Sequence, residues 1–336
     1  MIERVKIKNY KCIDNADIEL KPLTIVTGLN STGKSSLLHA LLLPESFHLK
    51  QVIGSISKKY EIIKCRYITD DNISIIVDYG SAGIEEMIMQ PTKSDVKKDL
   101  TIPIGYGNGL YYLSANRYIR DITATKSEGD LSISPDGMDS FGTYQWEKSN
   151  PVIEELYRYE ESKTLGYQID RWMSYILEQS IRIRTEVLSG QEIISVTYES
   201  DGIPNITPSN LGTGVTFIAE ILITCLRAKK GDVVVIENPE IHLHPSAQAK
   251  LGEFFAFIAH AGVQVIIETH CEHLINRVQY AVYANELRHD EVTILYKRDI
   301  ISPFDVIPLK RGGKYAVPFP DGFFDATLNE LMEVDA

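Results

Sequence analysis

One stretch limits what this chain can fold into more than any other. Leu23-Thr24-Ile25-Val26-Thr27 runs into Gly28-Leu29-Asn30-Ser31-Thr32-Gly33-Lys34-Ser35. A β-branched apolar run feeds a G-x-x-x-x-G-K-S loop, and Ser36 to Leu43 continues with helix formers, so the unit reads strand, phosphate loop, helix. Gly28 and Gly33 permit turns that a side chain would block, which lets successive N–H groups converge on a polyphosphate. The helix opening near Lys34 adds its positive end to the same anion site. Lys34 supplies a point charge for the β- and γ-phosphates, and the Ser35 hydroxyl is the expected Mg2+ ligand. A chance Gly/Ser turn would lack the flanking strand and helix. The stretch implies a bound nucleoside triphosphate.

The rest of the chain has the chemistry of an ordinary folded protein. Its 336 residues are 44% hydrophobic and 24% charged, ample for a core. A net charge of −12 argues against a surface coated for nucleic acid and leaves only a local basic groove open. Cys12, Cys65, Cys225 and Cys271 stand far apart without a C-x-x-C pair, the pattern of reduced thiols in a cytoplasmic protein. No apolar run approaches the ~20 residues that span a bilayer, and Met1 to Val5 lacks a signal-peptide apolar region. The expectation is a cytoplasmic protein that engages no membrane.

Ile2 to Lys8 alternates apolar and charged residues, the pattern of a half-exposed strand, and Ala16 to Leu20 supplies a second before Pro22. Tyr60 to Tyr67 and Ile73 to Tyr79 flank Asp70-Asp71-Asn72 and predict a hairpin. Leu110 to Ser114 reads as a buried strand, and the polar span Asp121 to Ser140 as the most flexible loop. Helices are expected at Val152 to Glu161 and Tyr167 to Gln179, the second with Trp172, Tyr175 and Ile176 on one face. A strand at Ile193 to Tyr198 leads to the turn Asn210-Leu211-Gly212-Thr213-Gly214.

Asp232-Val233-Val234-Val235-Ile236 has nothing polar among its aliphatics, as a central parallel strand buried on both faces requires. It ends at Glu237-Asn238-Pro239-Glu240, an acidic tip of the kind that holds magnesium beside a phosphate loop. A helix from Ser246 to His260 and a buried strand at Val263 to Ile267, ending Glu268-Thr269-His270, complete a right-handed parallel unit. Phosphate loop, Glu237 and His270 should then share the carboxyl edge of one sheet. Glu240, His242, His244, His270 and His273 lack the spacing of a zinc site, and Pro239 and Pro245 account for the bend.

Together these stretches resemble the ABC-class ATPases related to RecF, SMC and OLD proteins, most nearly the compact ATPases of phage-defence operons such as the Septu-like ATPase subunits. The matching pieces are Ile7 to Lys11, the phosphate loop, Tyr112 to Arg117, Ser209 to Gly214, Ile236 to Pro245 and Glu268 to Cys271. Phe319 to Asp325 resembles the short tail domain of unknown function in many such ATPases. The resemblance implies a P-loop NTPase of ABC type: an α/β fold with a mixed central sheet, an antiparallel N-terminal β subdomain and a small helical lobe. It implies one ATPase domain over 1–300, with the lobe inserted at about 150–190, and a tail domain over 301–336.

The resemblance also assigns roles. Gly28 to Ser35 stands as Walker A, with Asn30, Ser31, Thr32 and Ser36 among its nucleotide contacts and Lys11 as a further one. Glu237 is the Walker B acid, sharing magnesium with Ser35. Asn210, Gly212 and Gly214 take the signature-loop place, which contacts the γ-phosphate held by a partner subunit. His270 is the switch histidine. The catalytic glutamate's place, one after Glu237, holds Asn238, so either Glu240, two residues on, is the substitute base or hydrolysis is slow. The signature lacks S-G-G-Q, and Gln90 and Gln145 are the two candidates for the lining glutamine. Arg117 reads equally as a phosphate or partner contact and as a structural ion pair. Phe319 to Phe324 reads as a plug against the core before an exposed docking patch.

With no heptad run between Arg117 and Asn210, no coiled-coil arm is expected there. The chain after Ile301 is too short for an OLD-type nuclease domain, and without N-K-x-D the nucleotide defaults to ATP. The reading is an ATP-switched homodimer, a head-to-tail ATP sandwich, that controls a separately encoded effector such as a nuclease in phage defence. The alternative is a RecF-like repair ATPase that clamps DNA, and a transporter ATPase ranks third.

Overall fold

The computed structural model describes residues 1–49, 53, 56–124, 133–188 and 193–324. In chain order the strands and helices begin β1 (Arg4–Tyr10), β2 (Ile13–Glu19), β3 (Leu23–Gly28), α1 (Lys34–His48), α2 (Tyr60–Ile63), β4 (Ile73–Asp78), β5 (Gly83–Gln90), β6 (Lys93–Leu100), β7 (Gly105–Tyr106) and β8 (Gly109–Leu113). Next come β9 (Ile122–Ala124), α3 (Ser140–Glu147), α4 (Leu165–Leu177), β10 (Ile181–Val187), β11 (Ile193–Ser200), β12 (Ile203–Ile206) and α5 (Thr213–Leu226). The last are β13 (Val233–Glu237), α6 (Pro245–His260), β14 (Gln264–Glu268), α7 (Glu272–Tyr283), β15 (Val292–Lys297) and β16 (Asp305–Pro308).

The central sheet runs β16-β15-β3-β14-β13-β8-β7. Strands β15, β3, β14, β13 and β8 are parallel, and β16 closes one edge antiparallel. Every residue of β3, β13, β14 and β15 is buried, because helices or a second sheet cover both faces. The period-2 pleat divides the aliphatics between two cores. Ile25, Val234, Ile236, Val265 and Ile267 face α5, α6 and α7. Val26, Val233, Val235 and Ile266 face α1 and, beyond it, the N-terminal sheet β2-β1-β4-β5-β6.

In that antiparallel sheet β4 sits between β1 and β5, with Val5 opposite Val77 and Ile7 opposite Ile75. The hairpin expected from Tyr60 to Tyr79 does not form. Tyr60 to Ile63 is a single helical turn, and β4 makes its hairpin with β5 instead. Buried Asn9 explains the change: its amide donates to the Asp70 and Asn72 carbonyls, and Cys65 N–H donates to its side chain. These bonds draw 63–72 across the end of β1 and leave β4's edge for β1 itself.

The lobe carries α3, α4 and a four-stranded antiparallel sheet, β10-β11-β12 with β9 on β11. Trp172 of α4 is fully buried, edge-on to Phe254 of α6 at a centroid distance of 4.9 Å. The expected helix at Val152 to Glu161 is only a 3₁₀ turn at Glu154–Leu156. Fully buried Gln168 takes that segment's backbone bonds in place of a helix, meeting Arg158 and Tyr159 N–H and the Tyr159 and Ser162 carbonyls. Of the loop expected at Asp121 to Ser140, residues 125–132 lie outside the described residues. Its described ends hold β9 and a turn leading into α3.

At the other edge, Phe319, Phe323 and Phe324 cluster with Tyr315 and Tyr296 and are half-buried, so the tail aromatics pack on the core as expected. Residues 325–336 of the expected tail lie outside the described residues. Among the described residues no helix is long and apolar enough to cross a membrane.

Candidate functional site

The phosphate loop links β3 to α1 in a shape that only glycine permits at two points. Gly28 has φ +130°, and a Cβ there would lie 2.1 Å from the Lys297 carbonyl oxygen. Gly33 has φ +108°, and its Cβ would meet Cys12 Sγ at 2.2 Å. Asn30 and Ser31 are exposed at the tip, and Thr32 Oγ1 donates to the Leu29 carbonyl at 2.8 Å. Lys34 also donates to that carbonyl and is 3% exposed; burial pulls its ammonium pKa down, against the pull of Glu268. No acidic residue occupies the first turn of α1, so nothing within the helix offsets its positive end.

Facing the loop are the tips of β13 and β14, where register pairs Glu237 with Glu268. Glu237 accepts from Ala115 N–H at 3.1 Å, lies 2.9 Å from His39 Nε2 and meets the Tyr112 hydroxyl. Burial works to raise its pKa, but His39, Ala115 N–H and Tyr112 outweigh it and hold the carboxyl below its ordinary value. Behind it, Lys11 Nζ is 2.8 Å from His39 Nδ1. An ammonium can only donate, so Nδ1 accepts and the imidazole proton sits on Nε2, toward Glu237. Lys11 thus reaches the site through His39, while burial depresses its own pKa. Nothing local marks His39, an imidazole in a leucine-rich helix; only the packing of α1 on the sheet brings it to Glu237.

Glu268 is 6% exposed and hydrogen-bonds to the Ser35 hydroxyl. Its pKa is pushed up to about 7, chiefly by burial and then by Glu237 and Glu240, with Ser35 and Lys34 opposing. Glu240 Oε1 accepts from His270 N–H at 3.0 Å, and burial raises its pKa. Asn238 adopts φ +43°, and its N–H donates to the Glu268 carbonyl at 2.8 Å, so the turn is tied to β14. The His270 ring, pushed down by partial burial and by Lys34, is neutral at pH 7.

Arg117 proves structural. Buried and 5.0 Å over the Phe217 ring, it donates to the Glu237 and Asn238 carbonyls at 3.2 and 2.9 Å and so grips the acidic turn from behind. Neither candidate glutamine reaches the site: Gln90 pairs with Asn72, and Gln145 accepts from Thr185 and Lys148.

The Asn210 to Gly214 turn bonds within its own segment and packs against the His242 turn. Asn210 donates to Thr207 Oγ1 at 2.8 Å, a Cβ at Gly212 would meet nothing within 4 Å, and one at Gly214 would lie 2.6 Å from the His242 carbonyl oxygen. The turn lines a surface cavity with His242, His244 and Glu178. Among the described residues no cluster of three His, Cys, Asp or Glu side chains could hold a metal. Ser35, Glu237 and Glu268 are hard oxygen donors that fit Mg2+ completed by phosphate oxygens and water.

A glycine-cradled loop with its lysine, and acids at the tips of the next two strands, define a P-loop ATPase of the ABC type. The chain belongs to the AAA_21 family, described as "AAA domain, putative AbiEii toxin, Type IV TA system", which matches residues 23–276. Its fold is similar to that of an SMC head bound to the C-winged helix domain of ScpA, at 12% identity and TM-score 0.55 over 92% of this chain and 98% of that one. It is also similar to the SMC head domain from Thermotoga maritima, at 10% identity and TM-score 0.50 over 92% and 99%. An OLD nuclease of Thermus scotoductus is 39% identical over 41 residues, which is 12% of this chain and 8% of that nuclease.

Proposed function

We propose that this chain is an ATP-binding and ATP-hydrolysing switch. It closes as a two-fold dimer around two nucleotides and governs a separate effector, a nuclease, in antiphage defence. The observation that carries the reading is the convergence of Lys34 and Ser35 with Glu237, Glu240 and His270 at one sheet edge. Loop N–H groups and Lys34 bind the β- and γ-phosphates, while Ser35 and Glu237 hold magnesium, which when bound neutralises charge on the transferred phosphoryl group. The neutral His270 ring offers one N–H to the γ-phosphate.

Asn238 orients water but accepts no proton from it at neutral pH, which leaves Glu240 as the base and makes turnover slow. Gly212 is exposed, and a Cβ there would meet nothing within 4 Å, which supports a role in completing a partner's site. The nuclease effector draws on the short OLD likeness, and the defence role on the family description.

A steady-state ATPase assay of wild type beside Asn238→Glu and Glu240→Gln tests the switch. Slow wild-type turnover, accelerated in the first variant and lost in the second, is expected. Rapid wild-type turnover untouched by Glu240→Gln would remove both the slow switch and the substitute base. Salt-dependent DNA binding by the isolated protein would shift the reading to a DNA-clamping ATPase.

A further inference from the structure

We infer that Glu268 is a second acidic group of the magnesium site: it holds the Ser35 hydroxyl and adds a carboxylate oxygen to the cation's shell beside Glu237. The inference rests on the ATPase reading above. Strand β14 lies between β3 and β13, and register sets Glu268 against Val26 on one side and Glu237 on the other. Its carboxylate therefore stands between the phosphate loop and the Walker B strand.

Its surroundings support this. The Ser35 hydroxyl bonds to Glu268 and not to Glu237, whose neighbours are His39, Ala115 and Tyr112. A hydroxyl that gives its proton to a carboxylate keeps its lone pairs for a metal. Glu268 is only 6% exposed, yet its Oε2, like Glu237 Oε1 and Glu240 Oε2 beside it, has no hydrogen-bond partner, although His39 Nε2 lies 2.9 Å from the Glu237 atom. An orphaned buried carboxylate oxygen is costly unless something cationic meets it. Lys34 is close enough to act on the Glu268 charge but donates to the Leu29 carbonyl. Mg2+ is commonly held by one or two carboxylates plus substrate phosphates, which matches Ser35, Glu237 and Glu268.

The test measures binding, not turnover. Calorimetry gives the ATP affinity of wild type, Glu268→Gln and Glu268→Asp, each with Mg2+ and with EDTA; Mn2+ electron paramagnetic resonance on the ATP-bound proteins counts metal directly. Wild type should bind ATP more tightly with Mg2+. Glu268→Gln should weaken metal affinity by about tenfold or more, as loss of a carboxylate in or next to a metal shell does. Its affinity in EDTA should be equal or higher, since a negative charge beside the phosphates is gone. Glu268→Asp should recover part of the metal dependence. An unchanged Mg2+ dependence and Mn2+ affinity in Glu268→Gln overturns the inference. Should that variant fail to fold, Glu268→Ala is measured in its place, and unchanged Mn2+ affinity in Glu268→Ala overturns the inference equally. A wild type that binds no ATP under either condition instead overturns the ATPase reading itself.

Discussion

Replacing Lys34 by Met removes one charge and keeps the shape of the loop. The side chain is 3% exposed, so its stem is packed, and Met fills nearly the same volume. Such volume-conserving swaps cost less than about 1.5 kcal/mol. The Leu29 carbonyl is not orphaned either, because Thr32 Oγ1 still donates to it at 2.8 Å. The loss falls on the nucleotide. A hydrogen bond to a charged group contributes about 1.5–3 kcal/mol, so contacts to two phosphates amount to about 3–6 kcal/mol. At about 1.4 kcal/mol per decade, that is about 10²- to 10⁴-fold in Kd. The lower half of that range is expected, because loop N–H groups and the end of α1 remain. Isothermal calorimetry with ATP and Mg2+, beside thermal melts of both proteins, measures it. A variant that melts like wild type and binds ATP within about threefold of it would refute the site assignment, since even one such contact contributes more.

Gly28→Ala puts a Cβ at φ +130° and 2.1 Å from the Lys297 carbonyl oxygen; strain of this kind costs on the order of 1–3 kcal/mol and should lower both Tm and ATP affinity. Trp172→Ala empties a fully buried site ringed by Tyr159, Phe254 and Phe257, and urea unfolding should show a loss of about 3–5 kcal/mol. Fully buried Glu85 has its pKa pushed up to about 8, first by burial and then by Glu45, with Lys98 opposing. The fold favours its neutral form, so that contribution is complete below the ordinary carboxyl pKa and is lost as pH rises through about 8. Tm should fall between about pH 4.5 and 8 and level off above that, and Glu85→Gln should flatten the fall; parallel curves would count against the assignment.

The parts of the site that were legible in the sequence are those written in local pattern. The phosphate loop has its glycines, lysine and serine in one short run, and Val233 to Ile236 admits no reading but a doubly covered strand. His39 and the role of Glu268 were not legible, because each depends on which strand lies beside which. Glu268 matters only because β14 is inserted between β3 and β13. The misread hairpin and helix share a cause: Asn9 and Gln168, two buried amides, capture backbone groups of neighbouring segments and override local propensity. Arg117 offered two readings by residue type, and only its bonds to the Glu237 and Asn238 carbonyls decide between them.

The central claim is that ATP joins two copies through the Gly212 turn. Gly212 has an ordinary φ of −59°, and a Cβ there would meet nothing within 4 Å, so Gly212→Trp should leave the isolated fold intact. Multi-angle light scattering on wild type and Gly212→Trp, with and without ATP and Mg2+, tests the claim most directly. The wild-type mass should double with ATP, and the variant should stay monomeric while melting like wild type. A wild-type mass that ignores ATP, under conditions where calorimetry shows the nucleotide bound, would contradict the account.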